Sequence, residues 1–458
     1  MEEDVRLRID AIIDEIKALL ARKDEAALIA FVEDQHPADL AEAFSSLTEE
    51  ERKTLFDLLP SELAADIVEE LETEYQTEIM NKLEVEQASD IITAMESDDA
   101  TDLLSELEEQ KQDDILSNLD KEEAEEFQEL LSYEDDSSGG IMGTEYIALS
   151  PNMKVDYALD FIRRTGKEAQ TLNDIYVVDP DERIVGVLSL RDIVVANPLL
   201  KIGEIMHRKV VKVGVNVDQE EAAMLFKKYG VSAIPVVDDQ DRLTGIITAD
   251  DILHVVDEEA TEDIQKMAGV ISNDDTYMST KATRLWSSRI IWLVVLFLAD
   301  LSSGFIMKGF EKSLEVAVSL TFFIPLLIGC AGNAGSQASA VVIRSLALKE
   351  VQIKDSMEIL WKELRIGLLL GIVTGIAGVV LSMLIPHSEI SWAAMGLTIG
   401  ISILLTVTLG SVAGAGLPIL ASLLRQDPAV IAGPLITTVV DAAGLVIYFT
   451  VAKIIIGV

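Results

Sequence analysis

The sequence is poor in basic residues and in cysteine. It has 36 lysines and arginines against 79 aspartates and glutamates among 458 residues, so the formal net charge is −43. Proteins that bind nucleic acid depend on clustered basic side chains, and this charge excludes that class. The single cysteine, Cys330, cannot form an intrachain disulfide, and its apolar neighbours predict a buried, unreactive thiol.

A cleavable signal sequence and enzyme motifs are also missing. The first ten residues, MEEDVRLRID, are charged and have no apolar core, so we expect the N-terminal part to stay in the cytoplasm. No P-loop, Cys/His zinc cluster or nucleophile–base arrangement is visible in the sequence. We therefore expect no enzymatic activity.

Charge and hydropathy divide the chain into two parts. Residues 286–458 hold ten acidic and ten basic residues, so the whole net charge lies on residues 1–285. The later part is dominated by apolar runs that a soluble domain could not bury. The sequence predicts a membrane protein with a large, acidic, water-soluble head.

The head begins with a helical region, residues 1–135. Apolar residues recur there at spacings of three and four, with short polar turns between the periodic segments. Acidic-apolar pairs such as Asp66-Ile67 and Asp90-Ile91 recur at intervals that suggest helical hairpins of roughly 24 residues. We expect an acidic N domain built as an α-solenoid.

An internal duplication follows the N domain. Residues 174–193 realign, 59 residues later, onto residues 233–252, and each copy contains two β-rich runs before a helix start. The arrangement resembles a tandem pair of cystathionine-β-synthase (CBS) domains of α/β type, which we place at 136–204 and 205–263. The resemblance implies that the modules pair pseudo-symmetrically and often bind adenine nucleotides.

The last helix start in each copy carries a candidate nucleotide site. Ser189-x-x-Asp192 and Thr248-x-x-Asp251 have the form that CBS domains use to contact a ribose, and both also fit a helix N-cap. We name Ser189, Arg191 and Asp192 as the candidate site for ATP or another adenine nucleotide, because Asp251 is also a candidate metal ligand. A purely structural cap is the alternative.

A polar linker and five apolar runs complete the chain. We expect a connecting helix at 264–285 and an all-α transmembrane domain at 286–458, whose runs are each long enough to cross a hydrocarbon core of roughly 30 Å. The five predicted membrane helices lie at about 290–307, 316–343, 366–385, 390–424 and 428–452. The fourth is long enough to need a tilt or a break, for which Gly410, Gly414, Gly416 and Pro418 are candidates.

Basic residues near the apolar runs predict the orientation. Lys281, Arg284 and Arg289 precede the first run, and five further basic residues join the second run to the third. We expect the protein to lie in the inner (plasma) membrane of the cell. By the positive-inside rule its head lies in the cytoplasm, and five crossings then leave the C-terminus outside. Lys308 and Lys312 lie on the other side and are too few to reverse this prediction.

Asp441 lies near the middle of the last apolar run. A charge at that depth costs roughly 2.5–3.5 kcal/mol on insertion scales, so such a residue usually faces water, an ion or a partner. A role in ion permeation is the favoured interpretation, and a structural aspartate that is kept neutral or paired with Arg344 is the alternative. Asp300 in the first run either lines a polar cavity or makes a structural pair.

The second run places two amides among small residues. Asn333 and Gln337 lie four residues apart and hence on one helical face. Their carbonyls can accept hydrogen bonds from a hydrated cation. Ordinary contact between helices, which the neighbouring glycines also favour, is the alternative.

Two segments resemble the membrane domain of the MgtE family of magnesium channels. They are the glycine-and-amide motif at 323–337 and the segment 427–449. The layout of the whole chain agrees with that family. The resemblance implies a homodimeric Mg²⁺ channel that closes when cytosolic Mg²⁺ is high, with Asp441 as the pore carboxylate. Mg²⁺ dehydrates reluctantly and is held by one or two carboxylates plus waters, so a twofold axis would supply two copies of Asp441. Backbone carbonyls near Gly433 and Thr437 are further candidate pore ligands.

The acidic head suggests how such a channel is gated. Packed carboxylates repel one another unless divalent ions lie between them, so high Mg²⁺ is expected to pull the N domain onto the second CBS module and the connecting helix. The candidate regulatory ligands are Asp66, Asp98 and Asp102 on the N domain and Asp251, Glu259, Glu262 and Asp263 facing them. For each acid, a solvated helical face is the alternative.

Two other functions are compatible with the sequence. A proton-coupled divalent cation transporter would use Asp300 and Asp441 as its relay. A nucleotide-sensing membrane receptor without a pore is disfavoured, because it has little use for Asp441.

Overall fold

The computed structural model describes residues 2–167, 169–271, 277, 280–311, 318–384, 390–430 and 433–457. The described residues up to Glu259 form one compact unit, and nearly all of those from Ala260 onwards form a second. The first unit holds a helical domain and a pair of α/β modules, and the second holds long apolar helices. The predicted multidomain fold class is confirmed.

Ten helices make up the N domain in the described residues. They are α1 (Glu2–Arg22), α2 (Glu25–Glu33), α3 (Pro37–Phe44), α4 (Glu49–Phe56), α5 (Ser61–Glu69), α6 (Thr73–Lys82), α7 (Val85–Ala94), α8 (Ser97–Glu106), α9 (Glu109–Asn118) and α10 (Lys121–Leu130). Alternate helices pack on one another, α3 on α5, α5 on α7 and α7 on α9, and their apolar faces build one continuous core.

Two α/β modules follow and repeat one topology. The first contains β1 (Ala148–Leu149), α11 (Val155–Thr165), β2 (Ile175–Val178), β3 (Ile184–Leu188), α12 (Leu190–Val195) and α13 (Ile202–Ile205). The second contains β4 (Val213–Gly214), α14 (Gln219–Tyr229), β5 (Ala233–Val237), β6 (Leu243–Thr248) and the start of α15 (Ala249–Met267). In each sheet the first strand runs parallel to the second, and the second antiparallel to the third.

The duplication extends to an irregularity that both sheets share. The strand register shifts between Val177 and Val178 in the first module and, 59 residues later, between Val236 and Val237 in the second. A buried cluster around Tyr176 contains apolar residues of both modules. The predicted tandem CBS pair is therefore confirmed.

The helix α15 ends sooner than the predicted connecting helix. Gly269 adopts a left-handed conformation with φ +70°, and the N–H of Val270 donates to the carbonyl of Gln265. This is the hydrogen-bond pattern that closes a helix at a glycine. The prediction of one connecting helix at 264–285 is therefore wrong, because α15 ends at Met267; part of that range lies outside the described residues.

Five helical segments of the described residues are long and apolar enough to cross a membrane. Their helices are α16 (Ala282–Gly309), α17 (Ile324–Ala347, after a 3-10 turn at Val318–Phe323), α18 (Ser356–Ser382, after a 3-10 turn at Ile353–Asp355), α19 (Trp392–Leu423) and α20 (Gly433–Ile456). The helix α18 begins well before the predicted 366. It continues through charged residues such as Glu358 and Lys362, which end the hydropathy signal but not the helix.

The fourth apolar helix, α19, is continuous over its described residues, so of the two alternatives, a tilt or a break, the break is excluded there. A Cβ atom on Gly410 would lie 2.4 Å from the carbonyl oxygen of Ala331, and one on Gly414 would lie 2.2 Å from that of Gly335. These glycines therefore allow the backbones of α17 and α19 to touch. They do not end the helix.

Candidate functional site

Asp441 lies on α20 among the apolar helices. Its Oδ1 atom is buried and has no hydrogen-bond partner among the described residues. Arg344, the alternative partner considered from the sequence, interacts electrostatically with Asp263 instead. A buried carboxylate oxygen without a partner is costly in a protein interior, so this atom requires a ligand or solvent.

Gly332 of α17 faces this carboxylate. A Cβ atom on Gly332 would lie 3.7 Å from Oδ1 of Asp441 and 3.4 Å from Cγ2 of Thr437. Thr437 and Asp441 are one turn apart on α20, so both occupy the face that α17 covers. Because Gly332 has no side chain, α17 approaches Asp441 closely without filling the space in front of it.

Two other predicted pore residues, Gly433 and Thr437, lie near the start of α20. The helix begins at Gly433, and a proline in the first turn, here Pro434, costs no helical hydrogen bond. The carbonyl of Pro434 accepts hydrogen bonds from the hydroxyls of Thr437 at 2.8 Å and Thr438 at 3.0 Å. Gly433 and Thr437 thus belong to a regular helix start, and the role of their carbonyls as ligands stays a prediction.

The two amides of α17 point away from the helix contacts. Asn333 and Gln337 are exposed, and neither side chain makes a hydrogen bond to another described residue. They are therefore available to water, an ion or a second subunit. Asp300 of α16 is exposed and its charge acts on Asp441, and its role stays a prediction.

An acidic cluster forms where the N domain meets the CBS modules. Glu96, Asp98 and Asp99, at the start of α8, place one carboxylate oxygen each within 4.8 Å of one another. Asp98 is buried, with 7% of its surface exposed. Carboxylate oxygens at such spacing are the donor set that hard divalent cations prefer.

Burial and mutual repulsion raise the pKa of these carboxyls. The pKa of Asp98 lies well above its usual range because of burial and then the charge of Asp251. Burial, with repulsion by Glu69, raises the pKa of Asp99 to about 8 and that of Glu96 to about 7. The described part of the cluster therefore holds more negative charge than it can stabilise at neutral pH.

Three of the predicted regulatory ligands meet in this region. Burial, then the charge of Asp135, raises the pKa of Asp102 to about 7, and Asp251 also acts on it. Asp251 accepts hydrogen bonds from the N–H and hydroxyl of Thr248, at 2.8 and 2.7 Å. Asp98, Asp102 and Asp251 are thus brought into electrostatic contact, although they come from distant parts of the sequence.

The remaining predicted ligands lie elsewhere. The charge of Asp66 acts on Glu69, and Glu259 accepts a hydrogen bond from Gln219 at 2.9 Å. Glu262 and Asp263 belong to the second unit. There both lie close to Lys266.

Lys266 is the centre of an ion network. Its ammonium contacts Glu262 at 2.7 Å and Asp427 at 2.8 Å. Burial alone would lower the pKa of Lys266, but its hydrogen bonds to Asp427 and Glu262 raise it above the usual range. Asp263 lies close to these charged groups, and burial together with the charge of Asp427 raises its pKa.

Sequence reasoning missed Glu96 and Asp99 of the acidic cluster and three residues that surround it. Glu69 comes from α5, Glu145 from the segment before β1, and Gln170 from the loop before β2. The pair Asp98-Asp99 was a visible signal, but nothing in the linear pattern connects these distant residues to it. They become site residues only through the fold.

The candidate nucleotide residues form a helix cap. The N–H and hydroxyl of Ser189 donate to Oδ2 of Asp192 at 2.9 and 2.8 Å, and the N–H of Asp192 donates to the Ser189 hydroxyl at 3.2 Å. These hydrogen bonds lower the pKa of Asp192. Arg191 is exposed beside them. The capping role is thus present, and nucleotide contact stays a prediction.

Family models match most of the chain. A model described as the MgtE intracellular N domain matches residues 35–136, the CBS domain model matches 138–198 and 202–258, and a model described as a divalent cation transporter matches 324–451. The magnesium transporter MgtE of Thermus thermophilus is 41% identical over 332 residues, which cover 72% of each chain. This chain belongs to the MgtE family of magnesium transporters.

Other relatives support the same family. The magnesium transporter MgtE of Bacillus subtilis is 37% identical over 328 residues and 71% of each chain. Among solved structures, the soluble part of a magnesium transporter matches with a TM-score of 0.53 and 32% identity, covering 55% of this chain and 99% of that one. The cytosolic domain of the Mg²⁺ channel MgtE in complex with ATP matches with a TM-score of 0.51 and 37% identity, covering 53% and 99%.

Membership of the MgtE family establishes several predictions. The chain is a multi-pass membrane protein with a soluble N-terminal region, and it belongs with transporters, not with enzymes. The helical N domain and the CBS pair match the cytosolic structures of the MgtE family.

Proposed function

We propose that the chain forms a homodimeric Mg²⁺ channel in which each subunit contributes Asp441 to a shared pore. The observation that carries the proposal is the buried Oδ1 atom of Asp441, which has no partner among the described residues and faces Gly332. Mg²⁺ keeps most of its waters and needs one or two carboxylates, which a twofold-symmetric pair of subunits would supply.

The exposed amides support the same site. Asn333 directly follows Gly332 on α17, and Gln337 lies one turn further along the same face as Asn333. Polar side chains exposed on an apolar helix are costly in lipid, so we place this face toward water or the second subunit. Their carbonyls then accept hydrogen bonds from the water shell of the ion.

The test of channel function is Mg²⁺ uptake into liposomes that contain the purified protein. A channel takes up Mg²⁺ down its concentration gradient without an imposed pH gradient. The interaction of Asp300 with Asp441 favours a second candidate, a proton-coupled transporter. That alternative requires uptake to depend on the pH gradient, and Asp300→Asn to abolish the dependence.

We also infer that Mg²⁺ closes the channel by binding the acidic cluster. Glu96, Asp98 and Asp99 repel one another across a partly buried site, and Asp251 of the second CBS module adds to the repulsion. Bound Mg²⁺ removes this repulsion only when the N domain is docked, so it shifts the equilibrium toward docking. Asp102 adds to the repulsion, because it interacts with Asp251 as well, whereas the roles of Asp66, Glu259, Glu262 and Asp263 as Mg²⁺ ligands stay predictions.

Limited proteolysis of the full-length protein tests the gate. Millimolar Mg²⁺ is expected to protect the N domain, and Asp98→Asn is expected to weaken the Mg²⁺ dependence of that protection. The matched control is Asp113→Asn, an exposed acid on α9 outside the cluster. Equal cleavage of the wild-type protein in Mg²⁺ and in EDTA would reject Mg²⁺ gating.

Orientation and nucleotide binding complete the proposal. We place the head in the cytoplasm and the C-terminus outside, because the basic residues flank the apolar runs on the head side. We propose that transport runs inward, since a gate that closes at high cytosolic Mg²⁺ would limit entry of the ion. We further propose that ATP or a related nucleotide binds at Ser189, Arg191 and Asp192, since a 37% identical cytosolic domain was solved with ATP. Calorimetry with ATP on wild-type and Asp192→Asn protein tests this site.

A further inference from the structure

The start of α8 is held by carboxylates from outside the helix. The N–H of Glu96 donates to Oε1 of Glu69 at 2.8 Å, and the N–H of Ser97 donates to Oε1 of Glu145 at 3.1 Å. The first amides of a helix have no partner within it, so these carboxylates act as caps. Glu69 belongs to the N domain, whereas Glu145 lies beyond it, in the segment that enters β1 of the first CBS module.

The Ser97 side chain continues the same contact. Its hydroxyl donates to Oε2 of Glu145 at 3.0 Å and accepts the N–H of Thr144 at 2.8 Å. The hydroxyl of Thr144 lies 3.1 Å from that of Ser97 and donates to Glu126 of α10. Ser97 has only 3% of its surface exposed, so the hydrogen bonds of its hydroxyl are shielded from water.

Gln170 adds a second neutral donor from the first CBS module. Its Nε2 atom donates to Oε2 of Glu96 at 2.8 Å and to Oδ1 of Asp98 at 3.1 Å. A Cβ atom on Gly143 would lie 2.3 Å from the same Nε2, so the glycine leaves room for this side chain. One amide group therefore fixes the positions of two carboxylates in the acidic cluster.

We propose that Ser97, Thr144, Glu145 and Gln170 form a clasp that docks the N domain on the first CBS module without using a metal ion. The clasp deepens the proposed Mg²⁺ gate and rests on it. Its members are positioning residues, because they orient Glu96 and Asp98 and need not touch the ion.

The clasp sets the Mg²⁺ concentration at which the N domain docks. Docking requires the repulsion among the carboxylates to be overcome, and every hydrogen bond made only in the docked state contributes to this. Removing a shielded bond therefore means that more Mg²⁺ is needed for the same docked fraction. The fully docked state at saturating Mg²⁺ is still reached.

The experiment is a Mg²⁺ titration of protease protection on the full-length protein, with inhibition of Mg²⁺ flux by internal Mg²⁺ as the second readout. Ser97→Ala and Gln170→Ala remove clasp bonds without changing charge. We expect each variant to raise the midpoint Mg²⁺ concentration of both titrations about fivefold, which corresponds to the loss of one hydrogen bond of typical strength. Protection at saturating Mg²⁺ is expected to stay unchanged. Ser97→Thr keeps the hydroxyl and is expected to restore the wild-type midpoint.

Ser105→Ala is the matched control. Ser105 lies on the same helix, is exposed, and bonds only to the carbonyl of Asp102 within α8. Unchanged midpoints for both Ser97→Ala and Gln170→Ala would overturn the clasp, provided that wild type and Ser105→Ala still respond to Mg²⁺. A wild-type protein that shows no Mg²⁺-dependent protection would instead reject the gate itself. Should Ser97→Ala fail to fold, the Gln170→Ala titration alone decides.

Discussion

Gly332 and Asp441 face each other across α17 and α20, and the position of a Cβ on Gly332 lies 3.7 Å from Oδ1 of Asp441. The glycine and the acid come from membrane helices more than a hundred residues apart in sequence. Their contact joins the glycine-and-amide motif of α17 to the carboxylate of α20. The space that the glycine leaves open is where the proposed ion path reaches Asp441.

A large side chain at Gly332 is predicted to obstruct this path. Alanine would make only ordinary contacts at 3.4 to 3.7 Å, so Gly332→Ala is expected to fold and to retain most of the flux. Gly332→Leu places a branched side chain against Thr437 and Asp441 and is expected to reduce Mg²⁺ flux at least tenfold. Gly329→Leu is the control on the same helix, because nothing lies within 4 Å of its Cβ position. Equal flux in the two leucine variants would contradict the prediction.

The contact of α17 with α19 makes a prediction about stability. A Cβ at Gly410 would lie 2.4 Å from a backbone carbonyl, whereas one at Gly416, on the same helix, would lie 3.5 Å from a flexible leucine end. Gly410→Ala is therefore expected to cost roughly 1–3 kcal/mol of stability, as overpacked cores do, and to lower Tm in detergent. Gly416→Ala is expected to leave Tm nearly unchanged. Equal Tm values would show that α17 and α19 do not touch here.

The acidic cluster predicts a pH dependence of docking in the absence of Mg²⁺. Burial raises the pKa of Asp99 to about 8 and that of Glu96 to about 7 in the docked state. In the undocked state these carboxyls are separated from the charge of Asp251 on the second CBS module, so the docked state binds protons more tightly. The resulting stabilisation is complete below the ordinary carboxyl pKa of about 4 and is lost as pH rises through about 7 to 8.

Proteolysis in EDTA checks this sign. The N domain is expected to be cleaved more slowly at about pH 6 than at about pH 8.5, relative to an unrelated substrate of the same protease. Asp99→Asn is expected to flatten the difference, since it removes the group with the higher pKa. Faster cleavage of the N domain at the lower pH would contradict the electrostatic account of docking.

The fold was largely predictable where a pattern is local or repeated. The CBS strands follow from two β-rich runs that recur 59 residues apart, and β2 and β3 lie where those runs lie. Helix ends were harder to predict. The helix α18 continues through Glu358 and Lys362 because a membrane helix does not stop where its apolar run stops, and Gly269 ends α15 through a left-handed turn that a polar linker does not reveal.

The site was predictable only in part. Asp441 is conspicuous because a mid-membrane acid is costly, and Asp98 is part of a visible acidic run. Glu145 and Gln170 look like ordinary polar residues, and their importance arises from tertiary contacts with Ser97 and Glu96. Gly410 illustrates an ambiguity of the sequence, because a glycine that allows close helix contact has the same sequence signal as one that breaks a helix.

The most direct test of the central claim compares the rates of Mg²⁺ uptake into liposomes that contain either the Asp441→Asn or the Asp300→Asn variant. Uptake is measured without a pH gradient and into liposomes whose lumen is nominally free of Mg²⁺. Asparagine has nearly the same volume and removes only the charge. The channel account predicts that Asp441→Asn loses at least tenfold of the flux while Asp300→Asn keeps most of it. Undiminished uptake by Asp441→Asn would contradict a pore built on this carboxylate.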